Sequence, residues 1–154
     1  APFWAPFWVA GASMDKDCIF CKIVAGEIPS ARIRETKHAF AFLDIAPVNP
    51  GHALVIAKGH HPTIWDVPGE QAEDLLAAVQ AVGRALMAVT GAAGMNLMQN
   101  NHRAAGQLVD HVHFHLIPRH EDDGLQLWPQ QPYDDKQEME RLARAMAREI
   151  ESRG

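Results

Sequence analysis

The run His111-Val112-His113-Phe114-His115-Leu116-Ile117 sets three imidazoles at every second position of an apolar stretch. In an extended strand, successive side chains point to opposite faces. The three histidines therefore share one face, while Val112, Phe114 and Leu116 share the other and can be buried. At a rise of about 3.3 Å per residue, neighbouring histidines stand roughly 6.6 Å apart. A single histidine in a strand is usually an ordinary hydrogen-bonded residue. Three in strict alternation, in a chain with 9 in all, are another matter. Imidazole is a nucleophile, a proton carrier and a metal ligand near neutral pH. The row means a reaction centre or a metal site.

The rest of the chain limits what that centre can serve. Its 154 residues suit one domain with a real core. A formal net charge of -5 argues against a nucleic-acid partner, which would call for a basic stripe. A local basic pocket for one phosphate stays open. The 2 cysteines cannot form a disulfide-rich framework, so a cytoplasmic location is expected. No apolar run approaches the roughly 20 residues that span a bilayer, so no membrane partner is expected. Residues 1–13 stand apart, with Ala-Pro-Phe-Trp twice in succession. They lack the basic end and unbroken apolar centre of a secretory signal. They read as a leader ahead of a native start at Met14, leaving 14–154 as a single domain. An aromatic peptide that docks in a groove is the functional alternative for the leader.

Strands are expected over 31–36, 38–43, 52–57, 95–99 and 109–117, with a Pro- and Asn-bearing loop over 44–51. Between Pro68 and Thr90 the positions Ala72, Leu75, Leu76, Val79, Val82, Leu86 and Val89 follow helical spacing. Pro68 near the start and Gly91 at the end punctuate it. A last helix from about Asp134 carries Met139, Leu142, Ala143, Met146 and Ile150 on one stripe. Successive strands with one long helix inserted give an α+β fold: an antiparallel five-stranded sheet, one long helix and a C-terminal helix.

Gly106-Gln107-Leu108-Val109-Asp110 leads into the histidine row, and Pro118-Arg119 follows it. With Cys18-Ile19-Phe20-Cys21, Gly26-Glu27-Ile28-Pro29 and Pro50-Gly51-His52, this resembles the histidine triad (HIT) superfamily of nucleotide hydrolases and transferases. The resemblance runs from Asp17 to about Trp128 and is closest to the bacterial branch near the adenosine phosphoramidate hydrolases. It implies that His113 is the nucleophile that forms a nucleotidyl-imidazole intermediate. His115 and His52 would line the same site, orienting the nucleophile and meeting phosphate oxygens or the leaving group. Gly106 and Gln107 would supply backbone donors and a side-chain amide to the α-phosphate. Asn100 and Asn101 stand where relatives carry polar residues, though both could be ordinary turn asparagines. Asp44 matches the group that holds the ribose hydroxyls. Ile19, Phe20, Phe42 and Ile45 would form the apolar slot for the base, with Ile19 and Phe42 partly core. Leu108 departs from the pattern. Relatives often place serine or threonine there to assist the leaving group, and leucine cannot.

A lone CxxC fills only half of a tetrahedral zinc shell, and Cys18 and Cys21 could equally be buried apolar residues. The resemblance implies the missing half: His60 and His111 would complete a closed, structural Cys2His2 zinc site. His61 is the weaker stand-in for His60. The expected activity is hydrolysis of a P–N or P–O bond at the α-phosphate of a purine nucleotide, adenosine 5′-phosphoramidate favoured. A dinucleoside polyphosphate hydrolase or nucleotidyltransferase of the same fold is the alternative. Further rivals are a zinc hydrolase using His111 and His113 as catalytic ligands, and a binding module without turnover. The broad apolar arc of the long helix, together with the resemblance, implies a homodimer. Trp128 and Pro129 would then approach the partner's site.

Overall fold

The computed structural model describes residues 15–154, so the expected leader over 1–13 and Met14 lie outside the described residues. The chain divides into two compact units, one ending at Asp123 and the other Gly124–Gly154. The second unit holds helix α3, Lys136–Arg153, whose N-cap Asp135 accepts a hydrogen bond from the Glu138 N–H. Such a cap satisfies one of the first-turn donors that a helix leaves open. Trp128 and Pro129 precede α3 in this unit and are exposed.

The first unit is a five-stranded sheet. Its strands are β1 (Arg32–Glu35), β2 (Ala39–Leu43), β3 (Ala53–Ala57), β4 (Gly94–Gln99) and β5 (His113–Arg119). They lie in the order β1-β2-β3-β5-β4, and every neighbouring pair is antiparallel. Helix α2, Gly69–Thr90, carries the chain from β3 to β4. The expected α+β architecture is the observed one, with one addition. A short helix α1, Ile19–Val24, has no periodic signature because six residues are too few to show one.

Alternation along the strands assigns the two sheet faces. Ala39, Ala41, Ala53, Val55, Ala57 and Leu116 pack against Leu75, Ala78, Val79, Val82 and Leu86 of α2. Small residues on the strands let the helix approach closely. Phe40, Phe42, Leu54 and Ile56 look the other way and pack with Phe20, Cys21, Ile23 and Val24. Register carries that second face into the histidines: Phe42 pairs with Leu54, which pairs with His115, and Ile56 pairs with His113. The α2 arc is split by this packing, because Leu76 and Val89 are left exposed.

One strand start differs from the expected one, and one turn has a clear cause. Strand β5 begins at His113 rather than Val109, so His111 lies in the bend before it. Its backbone N–H turns back to the Val109 carbonyl instead of joining the ladder. Gly51 fixes the entry to β3 with φ 98°, and a Cβ there would stand 2.6 Å from Thr90 Cγ2. Only glycine meets both conditions. His52 owes its position to that turn.

Candidate active site

His113 and His115 leave β5 on the α1 side of the sheet, with ring centroids 5.0 Å apart. Phe20 from α1 lies edge-on to His113 at 5.0 Å and to His111 at 5.8 Å. The row of imidazoles is therefore continuous in space although His111 is outside the strand. Asp44 and His52 join it because β2 and β3 run on by one residue, the Asp44 N–H donating to the His52 carbonyl at 2.9 Å.

Hydrogen bonds to groups of fixed character assign the ring protons. A carbonyl only accepts and a backbone N–H only donates. His113 Nδ1 lies 2.7 Å from the His111 carbonyl, so Nδ1 carries the proton and Nε2 keeps its lone pair. The Val48 N–H donates to His52 Nδ1 at 3.1 Å, so in the neutral ring the proton sits on Nε2. That nitrogen is 3.0 Å from His115 Nδ1 and 3.7 Å from an Asp44 carboxylate oxygen. His115 Nδ1 therefore accepts, and its Nε2–H is left to donate. Burial holds all three rings neutral. It lowers the His113 and His52 pKa values below the usual imidazole range, against the pull of Asp44. Burial and the neighbouring His113 and His52 push His115 down to about 4. The result is one bare nucleophilic nitrogen beside one neutral donor.

A second cluster lies at the other end of the row. Cys18 is the N-cap of α1 and Cys21 falls in its first turn, which brings both sulfurs to one side. Cys18 Sγ and Cys21 Sγ stand 3.4 and 3.6 Å from His111 Nδ1, and Cys21 Sγ stands 3.4 Å from His60 Nδ1. With Zn–S near 2.3 Å and Zn–N near 2.0–2.1 Å, a tetrahedron separates sulfur and nitrogen by about 3.6 Å. The four donors thus fit a tetrahedral dication. His111 Nε2 lies 2.6 Å from the Ala57 carbonyl, so its Nδ1 lone pair faces the sulfurs. The Asp15 N–H reaches Cys21 Sγ at 3.4 Å, and an Asp15 carboxylate oxygen is 3.8 Å from His60 Nε2. Such supporting contacts orient metal ligands. Burial pushes the Cys21 thiol up to about 11, a cost that a cation between the donors would offset. His61 points elsewhere, its Nε2 2.9 Å from Gln71 Oε1.

Asp44, His52 and His115 also bring three ligand atoms within 4.8 Å, but the proton on His52 Nε2 makes this a hydrogen-bonded chain instead of a donor set. The catalytic-metal rival fails on similar grounds. Both His111 nitrogens are engaged, one with Ala57 and one with the cysteines, so none is left to share a metal with His113.

The loop before β5 differs from expectation. The Gln107 amide is not aimed at a phosphate: it is 2% exposed and acts as a strut. Its Oε1 accepts from the His102 N–H at 2.7 Å and its Nε2 donates to the Pro62 carbonyl at 2.6 Å. The N–H groups of Gly106 and Gln107 close back on the Arg103 and His102 carbonyls. Asn101 is a structural residue, exchanging bonds with Gln99 and accepting from the Ile64 N–H at 3.0 Å. Asn100 remains beside Gly106, whose Cβ position would be 3.7 Å from Asn100 Nδ2. Leu108 is exposed, as are Ile19 and Ile45, whereas Phe20 and Phe42 are buried. The exposed part of the expected base slot is thus Ile19 and Ile45.

Comparison with known proteins agrees with this geometry. The HIT domain model matches residues 25–122. An adenosine 5′-monophosphoramidase of Saccharomyces cerevisiae is 46% identical over 127 residues, covering 81% of this chain and 78% of the relative. The crystal structure of a HIT family member from Bacillus subtilis superposes with TM-score 0.81 at 38% identity, covering 86% of this chain and 96% of that one. A Zn-bound histidine triad family protein from Mycobacterium smegmatis gives TM-score 0.67 at 36% identity, with 89% and 97% covered. Sheet order, histidine row and sequence identity converge, and the chain belongs to the HIT domain family.

Proposed function

We propose that the protein hydrolyses a P–N or P–O bond at the α-phosphate of a purine nucleotide, with adenosine 5′-phosphoramidates favoured. The observation that carries this is the 2.7 Å contact of His113 Nδ1 with the His111 carbonyl, which leaves Nε2 as a neutral, fixed nucleophile. Nε2 attacks the α-phosphorus, the P–N bond breaks, and the amine departs with a proton taken from solvent, which the attacking water gives back in the next step. Water then attacks the nucleotidyl-His113 phosphorus, releasing the nucleoside monophosphate and restoring the imidazole. His115, backed by His52, donates its Nε2–H to a phosphate oxygen or the leaving group. The Leu108 N–H, without a partner among the described residues, and Asn100 beside Gly106 offer donors to the phosphate. Asp44 accepts from the ribose hydroxyls, and Ile19 and Ile45 flank the base over buried Phe20. The monophosphoramidase among the relatives supports the substrate class.

Zinc held by Cys18, Cys21, His60 and His111 would supply folding free energy. The Zn-bound relative supports that reading. The 2 cysteines are free thiols, which suits a cytoplasmic setting. No helix among the described residues is long and apolar enough to cross a membrane. Exposed Leu76, Val89 and Leu97, with the open edge of β4, support a homodimer. A stable pair should bury more than about 1,000 Å² in total, and light scattering that finds only monomer at micromolar concentration removes it.

The test of the reaction is a panel of adenosine phosphoramidates, adenylyl sulfate and dinucleoside polyphosphates, quenched without acid. Expected are fastest release of AMP from the phosphoramidates and a nucleotidyl adduct on the peptide bearing His113. Slow or absent AMP release with no adduct refutes the proposal.

A further inference from the structure

Trp65 lies in the single turn Ile64–Asp66 and is 72% exposed. Its indole stacks on His102, with ring centroids 5.8 Å apart and planes inclined by 23°, so most of the indole is bare. His102 has φ 71° and ψ 156°, and it alone among the described non-glycine residues has positive φ. That region is essentially restricted to glycine. Backbone bonding does not call for a side chain there. The His102 N–H donates to Gln107 Oε1, and its carbonyl accepts from the Ala105 and Gln107 N–H groups. Glycine would make every one of those bonds without strain. What the strain retains is the imidazole, which stacks on Trp65 and lies within electrostatic reach of Asp66.

The pair is also tied to the reaction centre. Gln99 pairs with Phe114, so one further step places Asn100 opposite His113, and His102 follows two residues on. Gln107 fastens His102 to Pro62, and Asn101 fastens the same loop to Ile64. Trp65 and His102 are therefore braced against the segment that feeds into β5. Sheet order adds a direction. Asp44, at the end of β2, lies on one side of β5, and the loop after β4 lies on the other. With a nucleoside at Asp44, the β4 side is the flank of β5 that stays open to a departing group.

We propose that Trp65 and His102 form a leaving-group subsite, a stacking surface for a planar aromatic amine or base attached to the α-phosphate. The subsite rests on the hydrolase reading above. Stacking on an exposed aromatic face is tolerant of ring identity but demands flatness. The substrate class it selects is therefore the nucleotide whose leaving group carries a flat ring.

The probes are the AMP amides of 2-phenylethylamine and 2-cyclohexylethylamine, which have similar reach and similar amine basicity but differ in flatness. The quantity is the ratio of their kcat/KM values, which reports steps up to departure of the amine and cancels any loss of folded protein. The unmodified protein is expected to favour the phenyl compound by about fivefold or more. Trp65→Ala and His102→Gly should each bring the ratio near one, while Trp65→Phe keeps most of it. His102→Gly should also melt at a higher temperature, since it relieves the backbone. A ratio near one in the unmodified protein, or a ratio that survives Trp65→Ala, overturns the subsite while the hydrolase reading stands. If the unmodified protein cleaves the substrate panel but neither amide, the subsite alone is overturned; if it cleaves nothing in the panel either, the hydrolase reading fails and the subsite falls with it.

Discussion

His113→Ala is expected to lower turnover of an adenosine phosphoramidate by about 10⁴-fold or more, the scale seen when a covalent nucleophile is deleted. Nucleotide binding should persist. Asp44, Ile19 and Ile45 lie outside the substituted side chain, and the lost ring contributes little to holding a nucleoside. Titration of AMP by calorimetry should therefore give a Kd within a few-fold of the unmodified protein. No adduct should form on quenching. The substitution does leave the His111 carbonyl without its 2.7 Å partner. That loss costs about 1 kcal/mol, too little to unfold a domain of this size. Turnover close to the unmodified rate in His113→Ala would end the covalent mechanism.

The second large effect concerns the other end of the row. One equivalent of zinc should co-purify, and Cys18→Ala should lose it. Zinc-finger peptides gain roughly 10–16 kcal/mol from a closed site of this type. Here the sheet and α2 already form a core, so a smaller share is expected. A loss of about 3 kcal/mol would lower Tm by roughly 6–12 °C in a chain of this length. His61→Ala is the control, because His61 is bonded to Gln71 outside the cluster, and it should keep the metal. Activity should fall alongside zinc, since one residue serves both ends. The His111 ring faces the cysteines, and its carbonyl holds the His113 proton. Metal analysis that finds no zinc in carefully prepared protein, or an unshifted Tm for Cys18→Ala, would refute the assignment.

Much of this arrangement is legible in the chain because period-2 alternation carries over between paired strands. Phe42, Leu54 and His115 fall on one face by alternation alone, and antiparallel register then sets them side by side. Asp44 and His52 follow two residues beyond Phe42 and before Leu54. The long helix is equally legible, since Leu75, Val79, Val82 and Leu86 repeat at helical spacing. Other features leave no such trace. Helix α1 is shorter than the pattern that would reveal it. The bend at His111 reads in sequence as one more strand residue. Gln107 as a strut depends on the Pro62 carbonyl, 45 residues away along the chain. His102 is least visible of all, because its backbone conformation is one that sequence reading assigns to glycine.

The two edges of the sheet are unlike. Outer strand β1 carries exposed Arg32 and Arg34, with an irregular register between them. Charge and a bulge are the devices by which natural sheets refuse further strands. Outer strand β4 reads Gly-Met-Asn-Leu-Met-Gln and carries neither device. The sheet can therefore be extended on one side only. Association through β4 uses up the permissive edge of each copy and presents guarded edges at both ends. Growth by that route would stop at two, and the alternation that builds the reaction centre would not become a template for fibres.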